Sequence, residues 1–293
     1  MACAIQMAWW PGATPMLRQR VITALIMAGL FLAAIIFLPV QVLALLIGLM
    51  ILAGGWEWSR MAGWESPVAR GLFVAALAAV MFALYVQCDL ATGSSREQIQ
   101  PVLGLACLWW SFALLWVKGY PGSAVIWSNR PMRSLIGLLI LAPAWTAAVY
   151  LLNYPRGGLL LVIMVIIVAS ADIGAYFAGK SLGKHKLAPD VSPAKTWEGF
   201  WGGELCAALV ALILWYLLPA QGAHISLLAV LMVVLATSVA SVVGDLSVSM
   251  VKRESGTKDS GSLLPGHGGF LDRLDSLAGA APVFTLGLVL AGW

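Results

Sequence analysis

Long apolar runs recur along the whole chain, and short polar segments separate them. Their apolar positions are continuous rather than alternating, which disfavours membrane strands. Nine runs are long enough to cross about 30 Å of hydrocarbon as helices, and lipid offers no partner to an unpaired backbone amide. The nine predicted spans are residues 21–38, 40–56, 71–88, 101–117, 134–152, 158–178, 203–219, 225–250 and 277–293. The pattern predicts an all-α, polytopic membrane protein.

Composition agrees with this fold class. Hydrophobic residues make up 61% of the chain, charged residues 10%, and the mean hydropathy is +0.92, which excludes a soluble globule. The net charge of +4 suits an anionic lipid surface, and no basic domain suited to nucleic acid is evident. We expect residues 1–15 to be a poorly defined N-terminal extension and residues 16–293 to form a single membrane domain.

Positive charges concentrate on one side of the predicted spans. Alternate loops, beginning with the segment before the first span, hold fifteen Lys and Arg residues, whereas the opposite loops hold only Arg96 and Arg156. The positive-inside rule places the N-terminus in the cytoplasm and the C-terminus outside. The fifteen are Arg18, Arg20, Arg60, Arg70, Lys118, Arg130, Arg133, Lys180, Lys184, Lys186, Lys195, Lys252, Arg253, Lys258 and Arg273.

Three acids lie within apolar runs, near the predicted cytoplasmic ends: Asp172, Glu204 and Asp245. Ionisable residues are costly in a membrane and usually mark function. The run that contains Asp245 also carries a polar stripe, whose steps of three and four residues place it on one helical face. The stripe is Ser238, Ser241, Asp245, Ser249 and Lys252. Its serines are explained equally well by hydrogen bonds between helices.

The segment 192–204, SPAKTWEGFWGGE, has two interpretations. Lys195 and Glu198 are three residues apart and either form a surface pair on a helix or serve a polar site. The glycines that follow allow either close helix approach or a bare backbone near a ligand.

A formal phosphate-loop match, GAYFAGKS at 174–181, is rejected. That loop requires a preceding strand and a helix that begins after it, whereas here the match continues a membrane span. Lys180 is therefore interpreted as an interfacial cation.

The segment 249–275 combines cations, carboxylates and glycines between two apolar runs. Asp272 and Asp275 are three residues apart and face the same way on a helix, and two adjacent carboxylates repel unless a cation lies between them. Oxygen ligands suit Mg²⁺, and Asp245 can complete the set because the chain returns to the same face. Cysteines and histidines are too scattered for a zinc site.

This segment resembles the signature of the phosphatidate cytidylyltransferase (CDP-diacylglycerol synthase) family. The matching positions are Ser249, Lys252, Arg253, Lys258, Asp259, Pro265, His267, Gly268, Gly269, Asp272, Arg273, Leu274 and Asp275. Two further blocks of that family match Asp172–Tyr176 and Ser192–Gly199, and the turn Trp56-Glu57-Trp58 is similar as well. The resemblance covers roughly residues 16–293.

The resemblance implies that CTP and phosphatidic acid give CDP-diacylglycerol and pyrophosphate at the cytoplasmic side of a bacterial-type inner membrane. The lipid phosphate would attack the α-phosphorus of CTP in line, assisted by Mg²⁺. A second cation and a homodimer are also compatible with the resemblance. The catalytic residues implied are Asp245, Asp272, Asp275, Lys252 and Lys258, and the three aspartates are the metal ligands. The substrate- or phosphate-binding residues implied are Asp172, Lys195, Glu198, Arg253, Asp259, His267, Gly268, Gly269 and Arg273.

Two other classes stay open at the level of the residues alone. An ion-coupled transporter also places carboxylates in helices, although it more often shows repeated halves and helices broken at the midplane. A membrane phosphotransferase with a different activated donor is the nearer alternative, because the residues by themselves do not select cytidine.

Overall fold

The computed structural model describes residues 26, 28–91, 96–217, 226–261 and 268–292, which form a bundle of long helices. The helices are α1 Ala28–Phe37, α2 Val40–Met61, α3 Pro67–Gln87, α4 Arg96–Gly119, α5 Ala124–Trp127, α6 Arg130–Leu152, α7 Gly157–Leu182, α8 Trp197–Leu217, α9 Leu227–Glu254 and α10 Leu271–Leu290. Apolar side chains such as Phe82, Phe112 and Phe177 are exposed on the outside of the bundle, where a bilayer provides their solvent.

Eight helices of the described part of the chain, α2 to α4 and α6 to α10, are long and apolar enough to span a membrane. The predicted all-α, multi-pass class is therefore confirmed. The remaining predicted span, residues 21–38, is the first in the chain and lies partly outside the described residues. Its described part contains the ten-residue helix α1. The count of nine and the orientation of the N-terminus stay predictions, as does the N-terminal extension, which lies outside the described residues.

Several helices extend further into the polar segments than the apolar runs do. Helix α8 begins at Trp197 rather than at 203, and α10 begins at Leu271 rather than at 277. A hydropathy criterion ends a span at the first polar cluster, whereas backbone hydrogen bonding continues through it. These extensions place Glu198, Asp272 and Asp275 on helices, within the first two turns of α8 and α10.

The structure contains a short β-hairpin that the sequence analysis did not predict. The segment between α7 and α8 contains two short antiparallel strands, β1 Lys186–Ala188 and β2 Ser192–Thr196. Lys186 pairs with Thr196, and Ala188 pairs with Ser192. Because the hairpin lies between the helices rather than across the hydrocarbon, the argument against spanning strands did not apply to it.

Two helices organise the interior. Helix α6 is buried along most of its length, and α10 contacts α2, α4, α6, α7 and α9. One apolar core surrounds Trp58, Trp127 and Leu271, and a second surrounds Leu151 and Phe284. The start of α10 is therefore held from several sides.

Helices α7 and α8 approach closely through glycine. A methyl group at Gly203 would lie 2.8 Å from the carbonyl oxygen of Ala171, and one at Gly199 would lie 2.9 Å from that of Ala175. Close helix approach thus accounts for these glycines. Residues 174–181 lie inside α7, so the rejection of a phosphate loop is confirmed: the helix begins before the match rather than after it.

The topology is open to a direct test with three reporter fusions, at the N-terminus, within the α4–α6 loop at Gly122, and after Trp293. We expect the Gly122 reporter to be cytoplasmic and the Trp293 reporter to be external, because the cations share the side of Gly122. A cytoplasmic N-terminal reporter would show that residues 21–38 cross the membrane, whereas an external one would reduce the count to eight. An external Gly122 reporter would contradict the orientation itself.

Candidate active site

A buried lysine lies between two carboxylates where α9 and α10 meet. Lys252 places its Nζ 2.8 Å from Oδ1 of Asp272 and 4.0 Å from Oδ2 of Asp275. Lys252 and Asp275 are each only 7% exposed. Lys252 supplies a positive charge between these carboxylates, so a metal ion is not the only cation that can relieve their repulsion, and the metal site stays a prediction.

The carboxylate of Asp272 also fixes the loop before α10. It accepts hydrogen bonds from the backbone N–H groups of Ser260, at 3.1 Å, and Gly269, at 3.0 Å. Gly268 has a φ of +82°, a left-handed conformation that glycine adopts without steric cost. The two described glycines of the motif therefore have a structural reason, and their contact with a nucleotide stays a prediction.

A second ion pair joins the hairpin to α9. Nζ of Lys195, on β2, lies 2.6 Å from Oδ2 of Asp245, and Oδ1 of Asp245 accepts a hydrogen bond from Ser249 at 3.1 Å. The charge of Lys252 acts on Asp245 as well. Two lysines from different elements thus converge on one carboxylate, which the β-hairpin makes possible.

Of the two interpretations of Lys195 and Glu198, the structure excludes the surface pair on one helix. Lys195 lies on a strand and contacts α9, whereas Glu198 lies in the first turn of α8 and contacts the residues that follow α7. Oε1 of Glu198 is 2.6 Å from Nδ1 of His185, and Oε2 accepts a hydrogen bond from the backbone N–H of Lys184 at 3.1 Å. Glu198 therefore holds the α7–β1 connection in place beside the hairpin.

The second acid of α8 has its hydrogen-bond partner within the bundle. Glu204 is buried and accepts a hydrogen bond from Oγ of Ser238 on α9 at 2.8 Å. Ser241 instead bonds to the backbone carbonyl of Ser238, at 2.7 Å, within its own helix. The interpretation of the stripe serines as structural groups thus holds for both, and only Ser238 links two helices.

Asp172 has a different environment, because it lies exposed on α7 within electrostatic reach of Lys195 and Asp245. The three residues lie on α7, β2 and α9. The matched Asp172–Tyr176 block therefore contributes a charge beside the same ion pair.

The remaining motif residues lie around this centre. Nε of Arg253 donates to the carbonyl of Val191 at 3.0 Å, which joins the end of α9 to the hairpin turn. His267 lies outside the described residues. Three motif residues are exposed on this surface: Lys258, Asp259 and Arg273.

Glu57 of α2 is a functional candidate that the sequence analysis did not assign to the site. It is 3% exposed and accepts hydrogen bonds from Ser260 and from the first residues of α10. The available signal was the matched Trp56-Glu57-Trp58 turn, which follows the second predicted span. Its partners, more than 200 residues away, were not apparent from the sequence.

The donors of this centre fit magnesium in kind but do not form a closed cage. Within the described ranges, no three His, Cys, Asp or Glu side chains come together as a metal site. Asp272 is occupied by Lys252 and two backbone N–H groups. Asp245 and Asp275 come from adjacent helices and act on each other electrostatically. Two carboxylates fit Mg²⁺, which usually keeps waters and binds substrate phosphates as further ligands.

The centre thus combines cations and carboxylates at the ends of the bundle. Lys195 and Lys252 provide the cations, Asp245 and Asp275 provide carboxylate oxygens, and backbone N–H groups before α10 are held by Asp272. Such a set can neutralise phosphates and support displacement at phosphorus. It lies at the ends of spanning helices, where a lipid headgroup and a water-soluble substrate can meet.

Comparison with known proteins agrees with this chemistry. A family model, that of the cytidylyltransferase family, matches residues 18–291. A phosphatidate cytidylyltransferase from Pseudomonas aeruginosa is 46% identical over 278 residues, which cover 95% of this chain and 99% of that protein. One from Haemophilus influenzae is 40% identical over 282 residues, covering 92% and 98%. The chain described here is therefore a multi-pass membrane enzyme that belongs to the cytidylyltransferase family.

Proposed function

We propose that this chain transfers a cytidylyl group from CTP to phosphatidic acid, releasing pyrophosphate and CDP-diacylglycerol, at the cytoplasmic side of a bacterial inner membrane. The observation that carries the proposal is the pair of lysine–carboxylate contacts at the ends of α9 and α10, in a chain with 46% identity to a phosphatidate cytidylyltransferase. These lysines and carboxylates are the groups required to bring a nucleoside triphosphate to a lipid phosphate.

The nucleophile requires little activation. A lipid phosphate monoester is already anionic, so its oxygen can attack the α-phosphorus without a strong general base. The barrier comes from bringing two polyanions into line, and positioning with charge neutralisation lowers it. This requirement explains why the centre is rich in cations.

Lys195 and Lys252 would supply that neutralisation. Each lysine is held by an aspartate, at 2.6 Å and 2.8 Å, in a position close to the membrane surface. A phosphate oxygen entering the centre can replace the carboxylate as the partner of the ammonium group. Arg253, Lys258 and Arg273, together with the glycine turn at 268–269, would hold the outer phosphates.

We further propose that Asp245 and Asp275 bind Mg²⁺, with Asp272 joining them only when Lys252 turns to a phosphate. When bound, the ion would shield the phosphate charge and stabilise the leaving pyrophosphate. The protein side chains then orient the nucleotide against the lipid headgroup. Asp172, Glu198, Asp259 and His267 stay predicted members of the substrate site without an individual role.

The proposal is tested by incubating the purified protein with CTP, phosphatidic acid vesicles and Mg²⁺. We expect lipid-soluble cytidine and an equal amount of pyrophosphate. Replacement of CTP by ATP, GTP or UTP tests the phosphotransferase alternative, because transfer from another donor in preference to CTP would contradict the cytidylyl assignment. Absence of transfer from any of these donors would contradict the proposed function.

The two exposed lysines Lys258 and Lys180 allow a matched comparison. Lys258 lies in the α9–α10 loop, whereas Lys180 lies at the end of α7 with its Nζ 5.7 Å from the ring centre of Tyr176. We expect Lys258→Ala to lower the transfer rate about 10- to 100-fold, the scale of a lost hydrogen bond to a charged group. Lys180→Ala should keep most activity, and equal severe losses would contradict this assignment.

The homodimer implied by the family resemblance is a separate proposal. Chemical cross-linking in native membranes, followed by mass measurement of the detergent-solubilised protein, would detect a two-chain species. A single-chain species that retains full transfer activity would contradict it.

A further inference from the structure

We propose that Glu57 is a positioning residue that holds Ser260 and the start of α10 in the geometry required for transfer. This inference rests on the proposed function, because it concerns the same centre. It assigns a role to a buried acid on α2 that does not itself touch the lysine–carboxylate pairs.

The contacts of Glu57 join distant parts of the chain. Oε2 accepts hydrogen bonds from Oγ of Ser260 at 2.8 Å and from the backbone N–H of Leu271 at 2.8 Å. Oε1 accepts one from the backbone N–H of Phe270 at 3.0 Å. Glu57 and Ser260 are 3% and 0% exposed, so water does not replace these bonds easily.

The chemistry of these contacts requires a carboxylate. The first N–H groups of a helix have no partner within the helix, and its N-terminus favours negative charge. Glu57 meets both needs of α10 from another helix. All three of its partners donate, so a carboxamide would direct its own N–H₂ group toward one of them. Gln at this position therefore keeps the shape but loses both a hydrogen bond and the charge.

The surroundings leave little room for another arrangement. A methyl group at Gly269 would lie 2.7 Å from Oε2 of Glu57, and Gly261 packs against the same carboxylate. Arg60, one turn further along α2, donates from Nη2 to the carbonyl oxygen of Ser260 at 2.7 Å. Helix α2 thus holds Ser260 through both its side chain and its backbone.

A short series of contacts leads from Glu57 to the reacting groups. The backbone N–H of Ser260, whose hydroxyl binds Glu57, bonds to the carboxylate of Asp272. Asp272 in turn holds Nζ of Lys252. A displacement of Ser260 or of the first turn of α10 therefore changes the position of Lys252 relative to Asp275. A misplacement of about 1 Å at a reacting centre can cost about 10²-fold in rate.

The test compares Glu57→Gln and Ser260→Ala with the matched control Glu65→Gln, an exposed acid that follows α2 on the same side. We expect Glu57→Gln to lower kcat about 10- to 100-fold per folded molecule and to raise the Mg²⁺ concentration required, with little change in KM for phosphatidic acid. Ser260→Ala removes one of the three hydrogen bonds to the Glu57 carboxylate but keeps its charge, and should cost about 10-fold, the low end for a hydrogen bond to a charged group. The double variant should lose less than the product of the two single losses.

Amide hydrogen exchange supplies a readout that does not depend on catalysis. We expect the N–H groups of Phe270 and Leu271 to exchange faster in Glu57→Gln than in the wild-type protein, while those of α6 stay unchanged. If the variant exchanges faster but the wild-type protein transfers no cytidylyl group, the positioning contact is retained and the proposed function is refuted. Wild-type kcat and Mg²⁺ response in Glu57→Gln, or losses matched by Glu65→Gln, would overturn the positioning role.

Discussion

Replacing Asp275 by asparagine is expected to lower the transfer rate by about 10²–10³, the cost of removing one charge-stabilising group from a comparable site. Asp275 is 7% exposed, lies in the second turn of α10 and has Asp245 and Lys252 as charged neighbours. Asparagine keeps the shape but removes the formal charge and weakens an oxygen ligand for Mg²⁺. The residual activity should require a higher Mg²⁺ concentration, measured as initial rates over an Mg²⁺ titration.

The fold should survive this substitution. Asp275→Asn removes the charge of a carboxylate that stands close to Asp245, so repulsion within the bundle falls rather than rises. Asp190→Asn, at the exposed turn of the β-hairpin, is the matched control and should be near neutral. Wild-type rates and an unchanged Mg²⁺ response in Asp275→Asn would show that the proposed metal ligands are wrong.

The second large effect concerns Lys252. Lys252→Met should abolish transfer and also destabilise the fold, because the substitution leaves Asp272 and Asp275 without the cation that lies between them. Breaking a buried ion pair by removing one partner costs about 3–5 kcal/mol. Thermal unfolding of the purified protein in detergent measures the stability, and the CTP assay measures the activity.

A double variant separates the two consequences. Lys252→Met combined with Asp272→Asn removes one of the two uncompensated charges, so the double variant should be more stable than Lys252→Met alone yet equally inactive. Lys118→Met, at an exposed position near the end of α4, serves as the control for loss of a cation outside the proposed site. Should Lys252→Met unfold at the wild-type temperature, Lys252 would not compensate the two aspartates.

The membrane helices could be predicted from the sequence because lipid imposes a strong constraint. Continuous apolar runs and one-sided positive charge fix element type and approximate position, and eight of the predicted spans correspond to described helices. The convergence of Asp245 with Asp275 was also predictable, since a helical hairpin returns the chain to the same side. The pattern did not predict where each helix ends, because polar residues continue the backbone hydrogen bonding beyond the apolar run.

The partners of the charged residues could not be predicted, because they depend on contacts between distant segments. Lys195 pairs with Asp245 rather than with the neighbouring Glu198, since a two-stranded hairpin turns it toward α9. Glu57 meets Leu271 across 214 positions of sequence. Helical spacing describes neighbours on one element and carries no information on which elements pack together.

The most direct test of the account follows the two ends of CTP separately in the purified protein. CTP labelled at the α-phosphorus and CTP labelled at the γ-phosphorus are each incubated with phosphatidic acid vesicles and Mg²⁺. We predict that the α-label enters the lipid and the γ-label appears only in pyrophosphate, and that Asp275→Asn slows both in parallel. Entry of the γ-label into lipid would show phosphoryl rather than cytidylyl transfer, and would contradict attack at the α-phosphorus.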